Sequence, residues 1–193
     1  MTLILASGSA SRRAILSGAG VDFEVQASGV DEDALKRGFT GTPGALAQAL
    51  ADAKALAVSA QRPGLVIGAD QVLEFDGRAY DKARDDDEAL ARLKLWRGRT
   101  HYLAGGLTAA REGQILWRHA SRCALTMRPC SDAFLDYYGR QAGEILTSTV
   151  GGYAFEGLGA QLFEAVEGDY FAILGLPLLP LLSFLRTEGL IAT

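Results

Sequence analysis

Apolar residues fall in short blocks along this chain, and the spacing inside each block predicts its element. Residues 3–6 are a continuous apolar run that stops at Ser7-Gly8-Ser9, which predicts a buried strand. Residues 11–17 follow a helical pattern, with Ser9 or Ser11 as cap and Gly18 or Gly20 near the end. Residues 23–27 predict a second strand, and the polar, glycine-bearing residues 29–41 predict a loop. Thr42-Pro43 starts a helix, because proline has no N–H to lose there and its fixed φ suits the first turn. That helix runs to about residue 60, with Leu46, Leu50, Ala53, Leu56 and Ala57 at helical spacing as its core face.

Arg62-Pro63-Gly64 ends the helix, and residues 65–68 predict a strand that runs into Ala69-Asp70-Gln71. Residues 72–75 continue extended, Asp76-Gly77 is a hairpin signal, and residues 78–80 return as a strand. Residues 85–96 predict an amphipathic helix whose first turn, Asp85 to Glu88, suits the positive end of the helix dipole. Extended runs on either side of Arg111-Glu112-Gly113 predict a long hairpin between residues 100 and 126. Residues 131–141 predict a helix capped by Ser131, and residues 147–159 a glycine-rich loop. Residues 161–166 and 170–174 predict strands around a turn at Glu167-Gly168-Asp169, and residues 178–188 a closing helix. Strands and helices mix without a strict βαβ rhythm. The expected fold class is therefore α/β of the mixed α+β kind: one domain over residues 1–193, with a mixed twisted sheet, flanking helices and two lobes around a central cleft.

The net charge of −4 argues against a general nucleic-acid binder, which usually carries a basic surplus; a local basic cluster can still hold a small anion. The two cysteines, Cys123 and Cys130, make no disulfide framework, and with His101 and His119 they show no zinc spacing. The most apolar stretch, residues 173–185, is broken by Gly175, Pro177 and Pro180 and is too short to span a bilayer. With no signal-peptide pattern, the expectation is a cytoplasmic protein with neither a membrane nor a nucleic-acid partner.

Ser7, Gly8, Ser9, Arg12 and Arg13 form a strand–loop–helix start in which N–H groups, hydroxyls and guanidinium groups can face a phosphate. An ordinary capped helix is the competing reading. Asp70 ends an apolar strand, where a carboxylate can orient a water, hold a divalent cation or simply occupy a surface turn. Read alone, Asp31, Glu32 and Lys54 are solvated charges, and Lys82 either reaches a phosphate or is a solvated loop residue. Together, these basic groups and carboxylates are the set a metal-dependent phosphoanhydride hydrolase needs.

The ordered motifs resemble the Maf family, the septum-formation-inhibitor-like nucleoside triphosphate pyrophosphatases, over nearly the whole chain. Leu5-Ala6-Ser7-Gly8-Ser9-Ala10-Ser11-Arg12-Arg13 is similar to the family's opening motif. Val30-Asp31-Glu32, Ala53-Lys54-Ala55 and Ile67-Gly68-Ala69-Asp70-Gln71-Val72 resemble its internal ones. Leu95 to His101, Gly151 to Gly157, Glu167 to Tyr170 and Gly175-Leu176-Pro177-Leu178 complete the pattern. The resemblance implies a fold similar to inosine triphosphate pyrophosphatases and frequent homodimers. It implies hydrolysis of a nucleoside triphosphate to monophosphate and pyrophosphate with Mg²⁺ or Mn²⁺. By the same carry-over Asp70 matches the proton acceptor, and Glu32 with Asp70 the carboxylates at the metal. Ser7, Ser9, Arg12, Arg13, Lys54 and Lys82 match phosphate contacts, Glu32 also lying near the substrate. Ser11, Gln71 and Glu156 fall where subgroups differ in base choice. Gln71 and Glu156 match the 7-methyl-GTP group, whereas Ser11 departs from the aromatic found there. Ala10 replaces the family's proline, and Asp81-Lys82-Ala83 replaces Gly-Lys-Pro. A regulatory nucleotide-binding protein of cell division that needs no hydrolysis is the alternative, separated by metal-dependent turnover.

Overall fold

The computed structural model describes residues 2–192 and is organised by one long central strand, Leu65–Phe75 (β3). Leu3–Leu5 (β1) pairs with it in parallel, Leu5 opposite Ile67, and Glu24–Val25 (β2) lies parallel outside β1. Thr100–Arg111 (β5) pairs with β3 in antiparallel fashion, and Gln114–Met127 (β6) and Phe163–Glu167 (β7) follow beyond it. With Arg78–Tyr80 (β4) folded back on β3, the order β2-β1-β3-β5-β6-β7 makes a seven-stranded mixed sheet. The Asp76-Gly77 hairpin forms as expected, with φ of 49° and 73°, the positive values a two-residue primed turn requires.

The pairing leaves a gap. β5 covers one edge of β3 from Val66 to Glu74, so β1 and β4 must share the other. β1 reaches Ile67 and β4 begins at Leu73, which leaves residues 68–72 without a strand neighbour on that side.

Side chains alternate across β3, so Val66, Gly68, Asp70 and Val72 share one face, and Ile67, Ala69, Gln71 and Leu73 the other. The first face carries Pro43–Ser59 (α3), whose Leu46, Ala47 and Leu50 pack with Val72. The second carries two hydrophobic clusters. Ile67 and Ala69 pack with Ala10–Gly18 (α1) and Leu178–Thr187 (α8). Leu73 and Phe75 pack with Asp86–Trp96 (α4), Asp132–Ala142 (α5) and the short Ile145–Ser148 (α6). Gln71 stands in register between them, and the hairpin β5–β6 extends the same sheet.

Three expectations need correction. Residues 29–41 are not all loop: Asp31 accepts from the Ala34 N–H and caps a helix, Glu32–Gly38 (α2). Residues 170–174 do not return as a strand, because Asp169 caps a helical turn, Tyr170–Ile173 (α7), through the Ala172 N–H at 2.6 Å. The buried face of α3 is Leu46, Ala47, Leu50, Ala51, Lys54, Ala55 and Val58, while Ala53, Leu56 and Ala57 are only half-buried.

Close approach explains that rotation. A Cβ on Gly68 would sit 2.2 Å from the Ala51 carbonyl oxygen and 2.6 Å from the Ala55 nitrogen. One on Gly106, which is opposite Asp70 on β5, would sit 2.5 Å from the Ala47 carbonyl oxygen. Helix backbone therefore lies directly on sheet backbone, small residues face inward, and the bulkier Leu56 is displaced to the flank.

Candidate active site

Five of the side chains selected from the sequence, Ser7, Arg12, Glu32, Lys54 and Asp70, come together around the gap beside residues 68–72. β1 delivers Ser7 and Ser9 at its end, and the Ala6 N–H still bonds the Ile67 carbonyl at 2.8 Å. Ser9 caps α1 through the Arg12 N–H, and the Ser9 N–H itself donates to Ser7 Oγ at 3.2 Å. Arg12 turns back from the first turn of α1, its Nη1 donating to Ser7 Oγ (3.1 Å) and its Nε to the Gly175 carbonyl (2.9 Å). Burial holds the Arg12 guanidinium below its ordinary value, and the charges of Asp70 and Glu32 oppose that shift. An arginine so placed stays protonated, so it is a fixed positive charge at the floor of the gap.

On the opposite sheet face the close seat of α3 brings Lys54 over Asp70. Lys54 Nζ lies 2.6 Å from Asp70 Oδ1 and 2.8 Å from Glu32 Oε1 of α2. The side chains of Lys54 and Asp70 are 9% and 11% exposed, and that of Glu32 is 39% exposed. Lys54 is thus not the solvated helix residue its position alone suggests. One ammonium joins two carboxylates from different elements, and the burial of Lys54 and Asp70 is tolerable only because their charges compensate one another.

Arg13 and Lys82 are exposed and make no hydrogen bond to this group among the described residues. Lys82 follows Asp81, whose carboxylate is bound to Lys36 of α2 at 2.6 Å, so residue 82 lies on the α2 side of the gap. Gln71 points the other way: its Nε2 donates to the Ala172 carbonyl at 2.8 Å and the Ile173 carbonyl at 3.3 Å, tying β3 to α7. Ser11 is half-buried in α1 and Glu156 is exposed in the loop after Tyr153. No hydrogen bond among the described residues joins Ser11, Gln71 and Glu156 to one another. Lys36 escaped the sequence reading because residues 29–41 read as loop; the Asp31 cap and the Glu32-to-Lys36 spacing of one helical turn were the available signal.

Among the described residues no three His, Cys, Asp or Glu side chains converge into a closed metal cage. Glu32 and Asp70 nevertheless point at one shared position, which Lys54 Nζ meets from α3. Two carboxylates supplemented by phosphate oxygens form a usual Mg²⁺ environment, so the donor set fits a divalent cation that arrives with a polyphosphate.

This mixed α/β fold thus carries a hydroxyl-lined loop at a helix start, a buried arginine and a lysine bridging two carboxylates. Residues 2–188 match the family described as Maf-like protein, and the chain belongs to that family. A curated relative from Caulobacter vibrioides, named nucleoside triphosphate pyrophosphatase, is 53% identical over 96% of this chain and 94% of its own length. A second of that name, from Paramagnetospirillum magneticum, is 48% identical over 96% of this chain and 98% of its own length. A relative from Rhizobium meliloti, named 7-methyl-GTP pyrophosphatase, is 47% identical over 98% of this chain and 97% of its own length. No helix among the described residues is long and apolar enough to cross a membrane.

Proposed function

We propose that this chain is a nucleoside triphosphate pyrophosphatase that uses a divalent cation, Mg²⁺ or Mn²⁺. Water attacks the α-phosphorus, the bond from that phosphorus to the bridging oxygen breaks, and pyrophosphate leaves with the bond's electrons. The nucleoside monophosphate is the other product. The observation that carries this reading is the convergence of Arg12, Lys54, Glu32 and Asp70 on the gap beside β3.

Each residue then has a defined task. Lys54 takes Asp70 Oδ1, which leaves Oδ2 to orient the water and accept its proton. Arg12 fixes the Ser7–Ser9 loop and keeps Nη2 for an anion, while the Ser7 hydroxyl, already an acceptor twice, retains its own proton to donate. Arg13 and Lys82 reach the outer phosphates from the rim. Glu32 and Asp70 would hold the cation, which when bound neutralises phosphate charge as it develops on the leaving group.

Position 156 supports a guanine-type base, and the proposed substrate is 7-methyl-GTP or a related modified nucleotide. A carboxylate accepts from the N1 and N2 donors of guanine and repels the carbonyl oxygens of uracil. The test is a screen of purified protein with Mg²⁺ or Mn²⁺ against standard and methylated nucleoside triphosphates, following monophosphate and pyrophosphate. Asp70→Asn should fold normally and lose pyrophosphate release by at least about 10²-fold. Tight nucleotide binding without metal-dependent turnover in the unaltered protein would refute the proposal in favour of a regulatory binder, and orthophosphate as the product would replace it with a phosphatase.

A further inference from the structure

The helix that carries Glu32 is weakly attached. α2 buries no residue, and along it only Glu32 and Lys36 are better than exposed; Phe39, just past its end, packs against the Leu46–Val72 cluster. Glu32 and Lys36 lie one turn apart and so share a face. Each makes one ion pair across the gap: Glu32 to Lys54 on α3, and Lys36 to Asp81 in the segment between β4 and α4. That segment is itself fastened, since Arg92 of α4 donates to the Asp81 carbonyl and Glu88 holds Arg92 at 2.8 Å. The Lys36 side chain is 24% exposed and that of Asp81 64%.

We infer that Lys36 and Asp81 are a positioning pair that holds α2 across the gap and so sets Glu32 against Asp70 and places Lys82 at the mouth. The inference rests on the proposed pyrophosphatase reading for its catalytic consequence. Neither residue touches the reacting atoms in this scheme. Asp81 would otherwise be unfavourable beside a phosphate-binding lysine; bound to Lys36, its charge is spent on closing the site. The charge environment agrees: burial lowers the Lys36 ammonium, but the hydrogen bond and charge of Asp81, with the charges of Glu32 and Asp70, raise it overall.

The experiment is a charge-swap cycle with Asp81→Asn, Asp81→Lys, Lys36→Glu and the double variant Lys36→Glu/Asp81→Lys. Two readouts are taken: steady-state pyrophosphate release, resolved into kcat and KM, and hydrogen exchange of the α2 amides without substrate. An exposed ion pair couples by up to about 1 kcal/mol, so Asp81→Asn should raise KM about threefold to fivefold and speed α2 exchange by a similar factor. The double variant should recover most of both losses. A fall in KM for Asp81→Asn would overturn the inference, because it would mean that Asp81 merely competes with phosphate for Lys36. Unchanged α2 exchange in every variant would overturn it too, and so would a double variant no better than Lys36→Glu. If the unaltered protein hydrolyses no nucleoside triphosphate, the pyrophosphatase reading fails by itself, and the exchange data still decide whether the pair holds α2.

Discussion

Replacing Gly68 by alanine adds a single methyl group and should damage both the fold and the site. The new carbon would lie 2.2 Å from the Ala51 carbonyl oxygen, 2.6 Å from the Ala55 nitrogen and 2.9 Å from the Ala55 Cβ. Ordinary contact starts near 3.4 Å, so α3 must recede from β3 by about 1 Å or the strand must buckle. Two of the three obstacles are helix backbone, which no rotamer change can move. Overpacking of this kind costs about 1–3 kcal/mol. The same displacement carries Lys54 away from Asp70 and Glu32, whose contacts are now 2.6 and 2.8 Å. A misplacement of about 1 Å in catalytic geometry lowers turnover on the order of 10²-fold. Urea denaturation reads the first effect, and pyrophosphate release under conditions where the variant is fully folded reads the second. A Gly68→Ala protein with unaltered midpoint and unaltered turnover would refute the claim that backbone contact between α3 and the sheet builds the site.

Other outcomes follow from the same contacts. Lys54→Met leaves two carboxylates facing each other without their cation; it should cost about 3 kcal/mol in urea denaturation, the low end for a broken buried pair because Glu32 keeps some contact with water. Stability equal to the unaltered protein would contradict the bridging role. Glu156→Gln should shift the ratio of kcat/KM between guanine- and uracil-type triphosphates more than it changes turnover on the best substrate, since the side chain is exposed and makes no hydrogen bond or ion pair among the described residues. His101 is fully buried against Trp96 and Phe163, with Nε2 2.7 Å from the Tyr153 hydroxyl, and burial pushes it down from 6.5 to about 4. The unfolded chain then binds a proton that the native state refuses between those values. Stability is therefore full above about pH 6.5 and falls by about 3 kcal/mol as pH drops to 4. His101→Gln should flatten that slope in urea titrations at pH 7 and pH 4.5, and an unchanged slope would assign the acid sensitivity to carboxylates instead.

Local chemistry makes much of this molecule readable in its sequence. The Ser9 and Ser131 caps, the Asp76-Gly77 turn and the long hairpin each depend on neighbours in sequence, and each forms as expected. What escaped depends on distant neighbours. Periodicity alone cannot orient α3, because the choice between Ala51 and Ala53 as inward residues is made by Gly68 and Gly106 on other strands. Lys54 reads as solvated for the same reason, since its two partners come from α2 and β3. Residues 170–174 carry strand-like aromatic and branched side chains, yet the Asp169 cap and the Gln71 amide favour a helical turn. Conversely, motif position singled out Arg12 and Asp70 as candidates, although nothing in the sequence revealed that Arg12 also reaches Gly175.

That last contact has a consequence for the chain's biosynthesis. Arg12 bonds a carbonyl supplied 163 residues later, and Gly175 takes a φ of +98° there with the guanidinium close above it. The Ser7–Ser9 loop is followed by Ala10, and Arg12 ties it to Gly175 through Ser7 Oγ. A polypeptide that stops short of Gly175 therefore leaves Arg12 Nε without this carbonyl. The contact can form only once Gly175, 163 residues after Arg12, has been made.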